Sequence, residues 1–405
     1  MSTSPAPARY GNREQAEERF GALARDYVEA LSTSDELGDA ALEALDALGE
    51  RGRLVLEHAL TAGIDAAPDA PAELRALFAD LASPPFEVDL ARIDRGARAL
   101  GRCGVPYGIA TKQSLYWGYF SGSAVKPLAW TGELRQPEAA LRRLTETGTW
   151  TLAVVRPGQL SRDAAAWHAT VRVRLVHARV RRALRASGRW DDTAWGAPIN
   201  QADTAMTVLE FCHLPLRMLR LLGVRFSAEE LDGVYALWRY VGHLIGVPAN
   251  INPDGEQESA RLLELIELTR DPPDEDSIAL VAATLGSTHV GATSRLERRS
   301  ASLLESMERE LAWHHLPDSH LERLRFPASR SRRTVPALRG AIRIGEALRR
   351  AVPAAEAGLR LANDRLNDHL IATLQFRAAR TRGGARRTNP TERLPAQMPA
   401  AAEGS

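Results

Sequence analysis

Along most of this chain apolar residues return at intervals of three and four, the period of a helix with one buried face. Strict alternation, which marks a half-buried strand, is scarce, and Ala, Leu, Arg and Glu are abundant. The spacing predicts helices over residues 12–31, 36–49, 51–62, 72–82, 87–100, 137–146, 161–187, 200–222, 228–246, 256–269, 296–313 and 336–377. Stop and start signals agree with several of them. Ser227-Ala-Glu-Glu230 reads as a capping box, in which the serine takes an orphan N–H and the glutamate reaches back. Gly246-Val-Pro248 ends the same helix, because proline cannot continue the ladder. Breaks are expected over 193–201, over 250–256 and at Asp271-Pro-Pro-Asp-Glu-Asp276. From about Arg380 to Ser405 the chain is rich in Arg, Gly, Pro and Ala and reads as a disordered, solvated tail. The expected fold class is all-α, a multi-helix bundle without an internal repeat.

Composition narrows the function classes. With 405 residues, 44% hydrophobic and 25% charged, the chain is long enough for a substantial core. Its 52 Lys+Arg nearly cancel 51 Asp+Glu, so no global basic field recruits nucleic acid. The two cysteines, Cys103 and Cys212, form no CxxC pair, which excludes a thiolate zinc site and points to a reduced compartment. One disulfide stays open. The N-terminus shows neither an apolar run after a basic start nor a twin arginine, and no apolar stretch reaches the roughly 18–20 residues of a membrane span. A cytoplasmic protein without a membrane span is expected. No phosphate loop or GxSxG elbow occurs, so nucleotide-binding and hydrolase readings lack support.

Candidate chemistry therefore rests on the ten histidines. His177 lies in mid-helix with Thr170, Val173, Val180 and Leu184 at helical spacing, an apolar stripe on which a neutral imidazole suits haem iron. Arginines at 172, 174, 179, 181 and 182 surround it, and some of them could pair with haem propionates. Spacing alone equally allows a packed core histidine flanked by water-facing arginines. Glu210-Phe-Cys-His213 is an ExxH unit that would put both ligands on one helix face, but a di-iron bundle needs two such units. His314, His315 and His320 read as part of a polar loop, and His243 as a structural residue between glycines.

Four blocks carry a family resemblance: Arg143-Leu-Thr-Glu-Thr147-Gly-Thr-Trp-Thr, Val171-Arg-Val-Arg-Leu-Val-His177-Ala-Arg-Val-Arg-Arg, Trp195-Gly-Ala-Pro-Ile-Asn-Gln-Ala-Asp203, and Trp238-Arg-Tyr-Val-Gly-His-Leu-Ile-Gly-Val247. In order and distance they resemble the latex-clearing proteins (rubber oxygenases) and the wider group of MpaB-type haem oxygenases. The resemblance implies a globin-like haem-binding core with additional helices. It implies an oxygenase-like domain over 105–345, an N-terminal helical region 1–104 packed on it, and a C-terminal helix over 346–379. It further implies that His177 is the proximal ligand of haem b iron, and that Arg143 and Thr147 lie on the distal, dioxygen-binding side. Arg174 and Arg181 are the arginines expected at the cofactor. Where some rubber oxygenases carry a lysine before that threonine, this chain has Glu146, so no lysine-capped iron is expected. The family's catalytic glutamate, upstream of the arginine, has no counterpart at the right spacing. The function implied is a haem b-dependent oxygenase that acts with dioxygen on a hydrophobic small molecule, unsaturated or isoprenoid. The missing secretion signal argues against a polymer such as rubber. The rival readings are a non-catalytic haem-binding sensor or carrier, and a haem-free helical scaffold.

Overall fold

A computed structural model describes residues 6–329, 331, 333–352 and single positions between 358 and 379. The tail expected from residue 380 lies outside them, as does much of the helix expected over 346–379. Among the described residues the regular elements are helices, and the all-α class holds. In chain order they are α1 (Arg13–Phe20), α2 (Ala22–Ser32), α3 (Glu36–Ala47), α4 (Glu50–Ala62), α5 (Ala72–Ala82), α6 (Leu90–Gly101), α7 (Val105–Gly118), α8 (Lys126–Ala129), α9 (Pro137–Val154) and α10 (Ala165–Ala186). Then come α11 (Asp192–Trp195), α12 (Gln201–Phe211), α13 (His213–Leu221), α14 (Ala228–Leu244), α15 (Glu256–Thr269), α16 (Glu275–Gly286), α17 (Arg295–His315), α18 (Asp318–Arg323) and α19 (Thr334–Ala351).

Several boundaries differ from the sequence reading, each for a local reason. The helix expected over 12–31 breaks at Gly21, whose φ of 57° leaves the right-handed region. The one expected over 200–222 breaks at Cys212 (φ −108°, ψ −81°). Pro215 causes this break: it has no N–H for the carbonyl four residues back, and its ring collides with that carbonyl. The freed oxygens are met from α7, where Tyr107 Oη donates to the Phe211 carbonyl at 3.0 Å and Ser114 Oγ to the Glu210 carbonyl at 2.5 Å. α9 runs eight residues beyond its expected end at 146, through Thr147 to Val154. α7 and α16 were not expected at all. α7 buries Tyr107, Gln113, Tyr116 and Trp117 around its circumference, so no polar face betrays its period. The capping box at Ser227 and Glu230 is present.

One continuous apolar core joins the N-terminal helices to the rest, from Phe20, Tyr27 and Leu31 through Leu74 and Leu77 to Trp117, Leu209, Trp238 and Leu265. α6 and α14 make the most intimate crossing. A Cβ on Gly96 would lie 2.2 Å from the Gly233 carbonyl carbon, so the two backbones touch where only glycine fits. This crossing fixes α14 and the Trp238 that it carries.

Candidate functional site

α9 and α10 pack against each other. Their register is set by Trp150, whose Nε1 donates to Thr170 Oγ1 at 3.0 Å, while Thr170 passes its own proton to the Ala166 carbonyl. Two helical turns back along α9 stands Arg143, and two turns on along α10 stands His177. In an antiparallel pair these positions face each other. The charge of Arg143 does act on the His177 ring.

His177 is half-buried, with part of its surface accessible and much of the ring surrounded by protein. Desolvation pushes its pKa down to about 3, Arg143 and Arg181 push the same way, and Asp35 opposes them. The imidazole is therefore neutral at any physiological pH. His168, His213, His243, His289, His315 and His320 are likewise buried or half-buried, and each has a hydrogen-bond partner. Among the described residues only His177 in this shielded set has none. A neutral ring with a free lone pair, facing accessible space, is fitted to take a metal ion. No group of three or more His, Cys, Asp or Glu among the described residues is arranged to hold a bare ion. One imidazole can serve as the single protein ligand of a metal whose other ligands belong to a bound group.

Across from it, Arg143 is exposed and has no ion pair or hydrogen bond among the described residues. Thr147 behaves differently from its neighbours. Thr145, Thr149 and Thr151 each return the hydroxyl to the carbonyl four residues back, whereas the half-buried Thr147 does not. Arg143, Thr147 and His177 are thus three polar groups without partners on facing helices.

The arginines expected at the cofactor are engaged elsewhere. Arg174 forks onto Asp35 with two contacts of 2.8 Å and reaches Asp80 at 2.9 Å. Arg181 donates to Asp39 at 2.7 Å. Both guanidiniums are nearly inaccessible, at 3% and 2% exposure, so in this structure they join α10 to α3 and α5. The outer arginines also face carboxylates, Arg172 with Glu57 and Arg182 with Asp46.

Near the Trp150–Thr170 contact an aromatic cluster packs in the core. Phe211 stacks on Trp238 at 5.2 Å between ring centres, and Trp150 meets both edge-on at 5.4 and 6.0 Å. The ExxH unit is not one face of one helix, because the break at Cys212 separates its members. His213 turns to Tyr235 Oη at 2.9 Å, and Glu210 turns towards Gly118 and Tyr119. His314 and His315 end α17 rather than lying in a loop; His315 bonds the Leu311 carbonyl, while His320 on α18 meets Arg270. His243 bonds the Asp80 carbonyl at 3.1 Å. The block from Trp195 to Asp203 also has a structural use. Asp203 receives a buried fork from Arg9 at 2.7 and 2.8 Å, tying the N-terminal segment down. Among the described residues no helix is long and apolar enough to cross a membrane.

Residues 117–354 match the family described as ER-bound oxygenase mpaB/B'/Rubber oxygenase, catalytic domain. A stretch of 79 residues is 33% identical to the Rubber oxygenase of Streptomyces sp. (strain K30), covering 19% of this chain and 19% of that protein. The alignment thus spans about a fifth of that relative's length. The solved latex clearing protein LCP in its closed state shares the fold, with a TM-score of 0.56 over 83% of this chain and 90% of that one at 19% identity. The matched segment is more than half of the chain and includes α9, α10 and the Arg143–Thr147–His177 face; this protein belongs to the mpaB/rubber-oxygenase catalytic-domain family.

Proposed function

We propose that the chain is a haem b-dependent oxygenase that uses dioxygen on a hydrophobic, unsaturated small molecule of isoprenoid type. One observation carries the reading. His177 is neutral, shielded and without a hydrogen-bond partner, and it faces a helix whose Arg143 and Thr147 are also free of partners among the described residues. Haem held there would supply the redox-active iron that dioxygen chemistry needs. His177 would be its protein ligand. Arg143 and Thr147 would offer a guanidinium and a hydroxyl where negative charge develops on oxygen. Arg174 and Arg181 hold the His177 helix against Asp35, Asp39 and Asp80. The substrate class is proposed by analogy with the rubber named for the relative.

The test is direct. Protein purified after expression with a haem precursor should show a Soret band and a protohaem pyridine haemochrome. It should consume dioxygen when squalene is added as an isoprenoid probe. Colourless protein would sink the reading, and a Soret band without alkene-dependent oxygen uptake would leave only a haem carrier. Arg143→Ala should keep the Soret band and weaken oxygen binding by the reduced protein. Because one preorganised donor is worth about 2.7–4 kcal/mol in the most favourable cases, a loss of up to about 100- to 1000-fold is the scale to look for. Unchanged oxygen affinity would remove Arg143 from the site.

A further inference from the structure

α19 is fastened to the body by its inner side. The Glu310 carboxylate on α17 accepts from the Thr334 and Val335 N–H groups at 3.1 and 3.0 Å, which fixes the start of the helix. Val335 is buried, Leu338 and Ile342 pack on the core, and the Arg343 stem lies over Gly223. The opposite side is unusual for a helix in water. Ala337, Ala341, Ile344, Leu348, Ala351 and Val352 recur at intervals of three and four and are all exposed, Ile344 at 64%, Leu348 at 56% and Val352 at 47%. No charged residue of α19 interrupts this stripe, so the helix is apolar both inward and outward. Leu54 on α4 is just as exposed, but it has Glu50, Arg51, Glu57 and His58 at helical spacing, and a lone exposed leucine is ordinary.

The charge beside the stripe has one sign. Arg339, Arg343 and Arg350 follow one edge of it, and Arg333 stands at the head of the helix. None of the four makes an ion pair among the described residues. The single acid of α19, Glu346, lies on the inner side and is held by Arg349 at 2.9 Å. Further along the sequence, from Arg380 to Arg393, come five arginines and one glutamate. This sign selects what covers the stripe. A second copy would lay arginine edge on arginine edge, and neither α19 offers an exposed acid to meet them. The arginine-rich end of the chain repels the edge in the same way. A negatively charged surface with an apolar interior satisfies both features.

We propose that α19 docks the protein on an anionic phospholipid bilayer. The helix lies flat, its stripe enters the headgroup layer, and Arg333, Arg343 and Arg350 meet lipid phosphates and carboxylates at the edge. Such docking needs neither haem nor substrate, so it stands or falls apart from the oxygenase reading.

Flotation of the full-length protein with two kinds of vesicle tests this. The wild type should float with vesicles of equal parts phosphatidylcholine and phosphatidylserine, stay behind with phosphatidylcholine alone, and be released by salt. Ile344→Glu combined with Leu348→Glu should lower the partition onto the anionic vesicles by more than about tenfold. Arg343→Gln combined with Arg350→Gln should lower it roughly 25-fold, since each arginine near an anionic surface is worth about fivefold. Leu54→Glu should float like the wild type. These side chains are exposed, so every variant should melt with the wild type. A wild type that ignores both vesicles overturns the proposal, and so does one that floats equally on both. Glutamate variants that still float do the same. A glutamate variant that melts well below the wild type would show that the chain's own later residues cover the stripe. One that abolishes a self-association seen by sedimentation would show that a second copy does. Either result overturns docking on lipid.

Discussion

His177→Ala yields folded protein without a Soret band under conditions in which the wild type is red. The ring makes no hydrogen bond among the described residues, so its removal costs the apo fold only half-buried packing, within about 1 kcal/mol. Haem retention is a different matter. The other shielded histidines are each held by a carbonyl, a hydroxyl, a carboxylate or an arginine, and nothing on the facing stretch of α9 offers a replacement ligand. The test is the absorption spectrum and haemochrome content of wild type, His177→Ala and His177→Gly, the last with added imidazole. Return of the Soret band with imidazole would assign the ligand position. An undiminished band in His177→Ala would refute the assignment, and the proposed function would lose its main support.

A second large effect is expected far from any ligand. Asp35 is 5% exposed, receives both arms of Arg174, lies 3.7 Å from Arg181 and caps α3 through the Gly38 N–H at 3.1 Å. Asp35→Ala strands two buried guanidiniums, with only Asp39 and Asp80 left to meet them. Breaking a buried pair by removing one partner costs about 3–5 kcal/mol, and the lost cap adds about 1 kcal/mol. Urea denaturation should show a much lower midpoint at an unchanged slope. Asp46→Ala, which removes the exposed partner of Arg182, is the matched comparison and should stay within about 1 kcal/mol. If the two variants behave alike, the buried network does not anchor α10. If they differ as expected, Asp35→Ala should also hold haem more weakly, since the network braces the helix that presents His177.

Much of the helical inventory could be read from the chain, because a helix with one wet face prints its period into the sequence. α10 and α14 were legible in this way. α7 was not, since it is buried around its circumference, nor was α16, whose apolar run Ile278-Ala-Leu-Val-Ala-Ala-Thr-Leu285 is short and has little contrast. The break at Cys212 was legible in principle: Pro215 stands in the expected helix, and a proline there demands a rupture one turn earlier. The site divides along similar lines. His177, Arg143 and Thr147 come from the family resemblance, and the charge of Arg143 reaches the His177 ring. Arg174 and Arg181 were assigned to the cofactor because sequence gives a cation's address but not its partner, and Asp35 lies 139 residues from Arg174. The Glu210 carboxyl packs into a space left by Gly118, 92 positions earlier by the numbering, and local spacing cannot report such a gap.

The glycine-to-glycine crossing of α6 and α14 has a mechanical consequence. With backbone pressed on backbone, neither helix can slide or roll without driving a carbonyl into its neighbour, so the slab that carries Trp238 behaves as a welded joint. Give must come from the opposite bank. On α9, next to Thr147, a Cβ at Gly148 would meet nothing within 4 Å.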